Sequence, residues 1–178
     1  MKKRIMLDVD GILANFVAGA AAFHGKDPAS FSSGDIVETW GFTASDFWNP
    51  LGYDFWANLP VYDTAEEVVD ICQKAVGPEN VCLLTSPCAT RGCAEGKIEW
   101  VRKHFPQFKR RVLVGEAKEF CASPTSMLVD DHDNNIDAFH RAGGWVFLYP
   151  RPWNRNRGLI LPPTELLTYH LEGFVYSD

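Results

Sequence analysis

The stretch RIMLDVDG, Arg4 to Gly11, decides how the chain should fold: an apolar, β-rich run stops abruptly at Asp8, and a second aspartate and a glycine follow at Asp10 and Gly11. A run this short, bounded by polar residues, predicts a buried strand over Arg4–Asp8. Val81–Thr85 (VCLLT), Arg111–Val114 (RVLV), Met127–Val129 (MLV) and Trp145–Tyr149 (WVFLY) carry the same signature. Helical patterns lie between them: Thr64–Ala75, where Thr64 and Glu67 have the spacing of a capping box, Ala94–Phe105, and Asn134–Ala142 closed by Gly143-Gly144. A short helix is expected near Pro163–Tyr169. Strand and helix in alternation give βα units, hence an α/β fold with a parallel sheet flanked by helices.

The segment from Phe16 to Pro60 breaks this rhythm. It carries Trp40, Phe42, Phe47, Trp48, Phe55 and Trp56 among Gly, Ser, Asn and Pro, and it is too long for a simple βα loop. The expectation is a small, mostly helical cap, residues 16–60, inserted after the first strand of a core made of residues 1–15 and 61–178. It would stand over the carboxyl edge of the sheet, where open α/β folds bind ligands. As core, its aromatic residues would bury a small satellite lobe; as pocket, one or two would face a ligand.

The 178 residues, 46% hydrophobic and 22% charged, suit one compact protein with a full core and exclude disordered and fibrous classes. The apolar runs fall short of the ~20 residues that span a bilayer. Lys2-Lys3-Arg4 resembles the start of a signal peptide, but Asp8 and Asp10 interrupt the apolar stretch, so a cytoplasmic location is expected. A net charge of −6 disfavours a polynucleotide held on a broad basic surface, because such binding rests on counterion release by many Lys and Arg. The basic clusters Lys109-Arg110-Arg111 and Arg151, Arg155 and Arg157 are expected on solvated faces. Five cysteines, none spaced as CxxC, indicate neither a disulfide framework nor a zinc ribbon, and are expected as small thiols in a reducing compartment.

Four signals carry chemistry. Asp8 and Asp10, at i and i+2 of a strand end, face the same way, and Gly11 permits a turn that lifts both over the sheet edge. Asp130 and Asp131 end another strand, and adjacent carboxylates repel unless a cation sits between them. Together these four make a hard oxygen site suited to Mg²⁺. Thr85 and Ser86, followed by Pro87, offer hydroxyl donors at the end of the second strand. Lys118 and Lys97 are the candidate cations for a phosphoryl group. A calcium loop over Asp131, Asp133, Asn135 and Asp137 is disfavoured, since Ile136 and Ala142 stand where such a loop wants Gly and Glu.

Asp8-Val9-Asp10-Gly11, Thr85-Ser86, Lys118 and Asp130-Asp131, in this order, resemble the four motifs of the haloacid dehalogenase (HAD) superfamily of aspartate-nucleophile phosphatases. Within it, DVDGILANF (Asp8–Phe16), FWANLP (Phe55–Pro60), Thr85-Ser86-Pro87, KIEWVRKHF (Lys97–Phe105) and YPRPWN (Tyr149–Asn154) are similar to the 5'(3')-deoxyribonucleotidase family. The resemblance implies a HAD-like Rossmannoid sheet with Asp8 as nucleophile and Asp10 as general acid/base. It implies Mg²⁺ bound by Asp8, by Asp10 through its backbone carbonyl, and by Asp131, with Asp130 beside them orienting water or Lys118. Thr85, Ser86 and Lys118 would hold the phosphoryl group. Phe16 matches an aromatic that faces the base, and Trp40, Phe42 and Lys97 are further candidates for substrate contact. The implied activity is dephosphorylation of deoxynucleoside monophosphates, a small-molecule partner; a homodimer is compatible with it. Polynucleotide-end or sugar-phosphate phosphatases of the same superfamily, or a catalytically silent nucleotide-binding module, are the competing readings.

Overall fold

A computed structural model describes residues 2–177. Its first strand, β1 (Arg4–Leu7), leads into four helices: α1 (Phe16–His24), α2 (Ile36–Thr39), α3 (Ala44–Trp48) and α4 (Tyr53–Ala57). Then come α5 (Ala65–Val76), β2 (Val81–Thr85), α6 (Cys93–His104), β3 (Val112–Val114), β4 (Ser126–Asp130), α7 (Asp133–Arg141), β5 (Trp145–Leu148) and α8 (Pro163–Val175). The five strands form one sheet in the order β3-β2-β1-β4-β5. Every pair is parallel, with Leu7 opposite Leu83 on one side and Val129 on the other. The chain therefore winds outward from β1 in one direction, returns, and continues in the other. The ends of β1 and β4 lie side by side at this reversal, where neighbouring connections leave in opposite directions and open a crevice.

Sheet burial follows from the continuous apolar runs. Ile5, Leu7, Val81, Leu83, Met127 and Val129 pack with Val68, Val69 and Cys72 of α5 and Leu167, Leu171 and Phe174 of α8. Leu84, Leu128 and Leu148 meet Ile136 and Phe139 of α7 on the opposite face. Each such side chain contributes roughly 1.5–3 kcal/mol by burial.

Two details differ from expectation. The capping box at Thr64 does not form: this residue has φ −88° and ψ 0°, a helical rather than an extended backbone, and its hydroxyl makes no capping bond. The last helix runs six residues further than Tyr169, because Leu167, Leu171 and Phe174 continue the helical spacing against the sheet and outweigh the weakening effect of Gly173. The aromatic segment packs onto the rest of the chain. Phe31, Trp40, Phe47, Leu51 and Trp56 belong to the same contiguous apolar cluster as Ile5 and Val129.

Candidate active site

The turn after β1 brings the first carboxylates to the crevice. Gly11 takes φ +76°, and a Cβ there would come within 1.9 Å of Asp131 Oδ2. Only glycine lets this turn press against the acid that follows β4.

Lys118 opens a short 3-10 turn, Lys118–Cys121, after β3, and buries its ammonium beneath the turn, 2% exposed. Its Nζ donates to Asp130 Oδ2 at 2.7 Å and makes a charge contact with Asp8 Oδ1 at 2.8 Å. Asp130, fully buried, also accepts from the His132 amide at 2.8 Å and from Asn135 Nδ2 at 3.1 and 3.2 Å. With so many donors, Asp130 is built to hold Lys118 in place. Asp131 is held differently: Trp153 Nε1 donates to its Oδ2 at 2.8 Å, and Asn154 Nδ2 donates to its backbone oxygen at 2.8 Å.

Asp10 has a lysine of its own. Its Oδ2 accepts from Lys97 Nζ and, at 3.2 Å, from Thr85 Oγ1. Lys97 also donates to Ser86 O at 2.5 Å, contacts Thr85 Oγ1 at 3.2 Å and lies 4.6 Å from the Trp56 ring centroid. Gly96 makes this possible, since a Cβ there would approach Tyr53 O and Trp56 Cβ to 2.7 Å and push α6 away from α4.

Electrostatics follow from this burial. Burial pushes the Asp8 carboxyl up to about 7; Lys118 opposes the shift, and Asp130 and Asp10 add to it. Asp131 is held well above the usual range by burial first, then by Asp8 and Asp130. Burial works against the Lys118 and Lys97 ammoniums, but the carboxylates beside each more than offset it, and both are held above the ordinary lysine value. Ligand atoms of Asp8, Asp130 and Asp131 lie within 4.8 Å of one another, a group able to hold a cation. Asp8 Oδ1 and Asp10 Oδ1 are buried without an aligned hydrogen-bond donor. Crowded, desolvated carboxylates suit a hard divalent ion. The Asp10 carboxylate lies outside this three-residue group and faces Lys97.

Asp8, Asp10, Lys97, Lys118 and Asp131 line a cleft of about 630 Å³, with Ser86 beside them; Phe16, Phe31, Ile36, Trp48, Trp56 and Trp153 complete its lining. Phe16 stacks nearly parallel to Trp48 and to Trp56, each with centroids 5.6 Å apart. Of the residues expected from sequence, Asp8, Asp10, Asp131, Ser86, Lys97, Lys118 and Phe16 reach the cleft. Thr85 and Asp130 are wholly buried behind it. Trp40 and Phe42 correct the expectation. Trp40 is 6% exposed and donates its Nε1 to Ser30 Oγ, so it lies inside the aromatic segment, while Phe42, half-buried, packs on Phe47 and His24; neither lines the cleft.

Asn135, Trp153 and Asn154 were not anticipated, although YPRPWN contains two of them. Arg151 is not on a solvated face either. Its guanidinium lies between the rings of Tyr62 and Tyr149, at 4.0 and 4.9 Å, and donates to the Gly11 carbonyl. Arg155, by contrast, is exposed and paired with Asp133 and Asp137.

The parallel sheet in the order β3-β2-β1-β4-β5, with its acidic strand ends at the cleft, is the α/β arrangement expected from the sequence. The chain superposes on a HAD family hydrolase from Deinococcus radiodurans R1, solved with bound phosphate and sodium, with a TM-score of 0.57 over 99% of this chain and 98% of the other, at 15% identity. That likeness concerns the fold. In sequence it is similar to the human cytosolic-type 5'(3')-deoxyribonucleotidase, 27% identical over 177 residues, covering 91% of this chain and 86% of that protein. No protein-family model matches the chain. No helix among the described residues is long and apolar enough to cross a membrane.

Proposed function

We propose that the protein is a Mg²⁺-dependent phosphomonoesterase that works through a phosphorylated Asp8, with deoxynucleoside monophosphates as its preferred substrates. The observation that carries this reading is the division of labour between Asp8 and Asp10, two residues apart yet served by different lysines. In this reading residues 16–60 act as the cap and the remainder as the core.

Asp8, Asp131 and the Asp10 carbonyl are the groups that would hold the metal. When bound, the ion would neutralise phosphate charge and favour the ionised form of Asp8. Lys118, fixed by Asp130, aims its charge at the Asp8 carboxylate and at a phosphoryl group placed there. Asp8 attacks phosphorus in line, and Asp10 gives a proton to the leaving sugar oxygen. Asp10 then takes a proton from the water that hydrolyses the aspartyl-phosphate. Thr85 and Lys97 keep Asp10 aligned, while Ser86 contributes a donor to the phosphoryl oxygens. A cleft of about 630 Å³ walled by Phe16, Trp48 and Trp56 suits a base and sugar better than a bare sugar phosphate.

Two substitutions test this. Asp8→Asn should reduce turnover to near background on every ester. Asp10→Asn should still be phosphorylated by an aryl phosphate with a good leaving group, and the phosphoenzyme should accumulate for want of a base. Acid quench and mass spectrometry locate the phosphate. Phosphate on a residue other than Asp8, or unchanged turnover in Asp8→Asn, sinks the covalent mechanism. A substrate panel of deoxynucleotides, ribonucleotides, sugar phosphates and 3'-phosphorylated oligonucleotides then decides the preference.

A further inference from the structure

Beyond Ser86 the chain runs Pro87-Cys88-Ala89-Thr90-Arg91-Gly92 before α6 begins at Cys93. Cys88 lines the cleft, half-buried, whereas Cys93 is 1% exposed behind it. The Cys88 amide donates to Cys93 Sγ at 3.2 Å, and Cys88 Sγ lies 2.8 Å from Thr90 Oγ1. We propose that Cys88 and Cys93 are a reversible oxidation site: a hydroperoxide entering the cleft converts them to a disulfide that ties the Ser86 loop to the helix carrying Lys97 and silences the active site.

The surroundings set a direction for this chemistry. The adjacent Cys93 thiol, with help from Thr90 and the Lys97 charge, lowers the Cys88 thiol to about 6 against the opposing effect of burial. Cys93 is pushed the other way by the same contact and remains a thiol. The remaining thiols contrast with Cys88. Burial pushes Cys72 up to about 12, and Cys82 is raised by burial and by Cys121 beside it.

The reaction balances. The Cys88 thiolate attacks the terminal oxygen of the hydroperoxide, the O–O bond breaks, and the leaving alkoxide takes a proton to become an alcohol, or water when the oxidant is hydrogen peroxide. Cys93 sulfur then attacks the sulfenic sulfur of Cys88 and loses its proton. The expelled hydroxide takes up that proton and leaves as water. Two thiols and one hydroperoxide give one disulfide, one alcohol and one water.

Closure must disturb the site. A disulfide needs sulfurs about 2.05 Å apart. Cys93 Sγ must then give up the Cys88 amide, and Gly92, at φ +86° with the Tyr53 backbone 2.9 Å from where its Cβ would stand, leaves little slack. The strain falls on Ser86 O and Lys97, which are in direct contact.

The test titrates the whole protein with hydrogen peroxide, blocks free thiols, and maps disulfides by mass spectrometry of a non-reduced digest, while activity on an aryl phosphate with Mg²⁺ is followed before and after dithiothreitol. Cys88–Cys93 should be the first link formed, in step with loss of most activity and its recovery on reduction. Cys93→Ser should carry a dimedone-reactive Cys88 instead, and Cys88→Ser should lose the rapid phase of inactivation. Oxidation of Cys82 or Cys121 ahead of Cys88, or equally rapid inactivation of Cys88→Ser, overturns the thiol pair. A complete disulfide with unchanged rate overturns the switch. The disulfide map stands whether or not the protein proves to be a phosphatase, so failure of the two readings can be told apart.

Discussion

On the wall of the cleft formed by strand ends, Asp8 and Lys118, with Asp130 directly behind them, are charged yet only 6, 2 and 0% exposed, each held by one or two contacts of 2.7–2.8 Å. On the wall formed by the α1 to α4 segment, Phe16, Trp48 and Trp56 touch through ring faces whose centroids stand 5.6 Å apart. The difference is in how each wall tolerates change. A buried charge depends on one partner at one distance, and losing the partner leaves it uncompensated. Stacked rings share their energy over area, so any one of them is worth less. The charged wall should therefore fail by single residues and the aromatic wall by degrees.

The largest effect should follow Lys118→Met. It leaves Asp8 and Asp130 facing one another without their cation, and breaking a buried pair in this way costs about 3–5 kcal/mol. Urea unfolding of the metal-free protein measures it, and turnover should vanish as well. A change within about 0.5 kcal/mol, the size of an ordinary surface substitution, would erase the contrast between the walls.

The second effect is a pH dependence that the aromatic wall cannot produce. The folded state holds the Asp8 carboxyl at about 7 against 3.8 in a free chain, so between these values the folded protein binds more proton than the unfolded one. Stability contributed by this group is fully present below the lower value and is lost as pH rises through the upper one. Asp131, shifted in the same direction, adds to the loss. Metal-free protein should therefore weaken from mildly acidic to neutral pH in chemical denaturation, and excess Mg²⁺ should flatten the decline. A metal-free protein that gains stability over this range would contradict the geometry of Asp8 and Asp131.

The same contrast explains what could be read from the sequence. RIML, VCLLT and MLV announce strands because a sheet buried on both faces needs unbroken apolar runs, and Asp8, Asp10 and Asp130 stand out because they interrupt or end apolar stretches. The pairing of Asp8 with Lys118 and of Asp10 with Lys97 was not legible. It depends on which strands are neighbours and on how closely Gly96 lets α6 approach α4. In the aromatic segment, Trp40 and Trp48 look alike in the sequence, yet one is interior and the other lines the cleft. Short helices joined by turns give no periodicity long enough to say which ring faces inward. Trp153 lies far from both in the chain but joins the two walls, stacking on Phe31 at 5.7 Å while it donates to Asp131.

A smaller effect should follow Phe16→Ala. Loss of one stacking surface is worth about 1–3 kcal/mol by analogy with bases stacked on aromatic side chains. That loss should fall on kcat/KM for a deoxynucleotide and spare a small aryl phosphate. Equal losses on both would mean that Phe16 only supports Trp48 and Trp56, and that the aromatic wall has no part in choosing the substrate.

The smallest effect distinguishes wall from interior within the same segment. Trp40→Phe keeps a ring in the apolar cluster, gives up part of the indole's buried volume and removes the Nε1 bond to Ser30 Oγ, made at 2.9 Å. A hydrogen bond of this kind contributes about 0.5–1.5 kcal/mol. Ser30 lies in a short 3-10 turn, Pro28–Ser30, so its hydroxyl can turn to water and the hydrogen-bond part of the cost should sit at the lower end of that range. Because Trp40 is 6% exposed and does not line the cleft, kcat/KM for nucleotide and aryl phosphate should both stay at the parent value while the unfolding midpoint drops slightly. The opposite pattern, a selective loss on the nucleotide with unaltered stability, would put Trp40 at the base after all. The aromatic wall would then extend to the far side of Phe47, and the interior role assigned to Trp40 would be wrong.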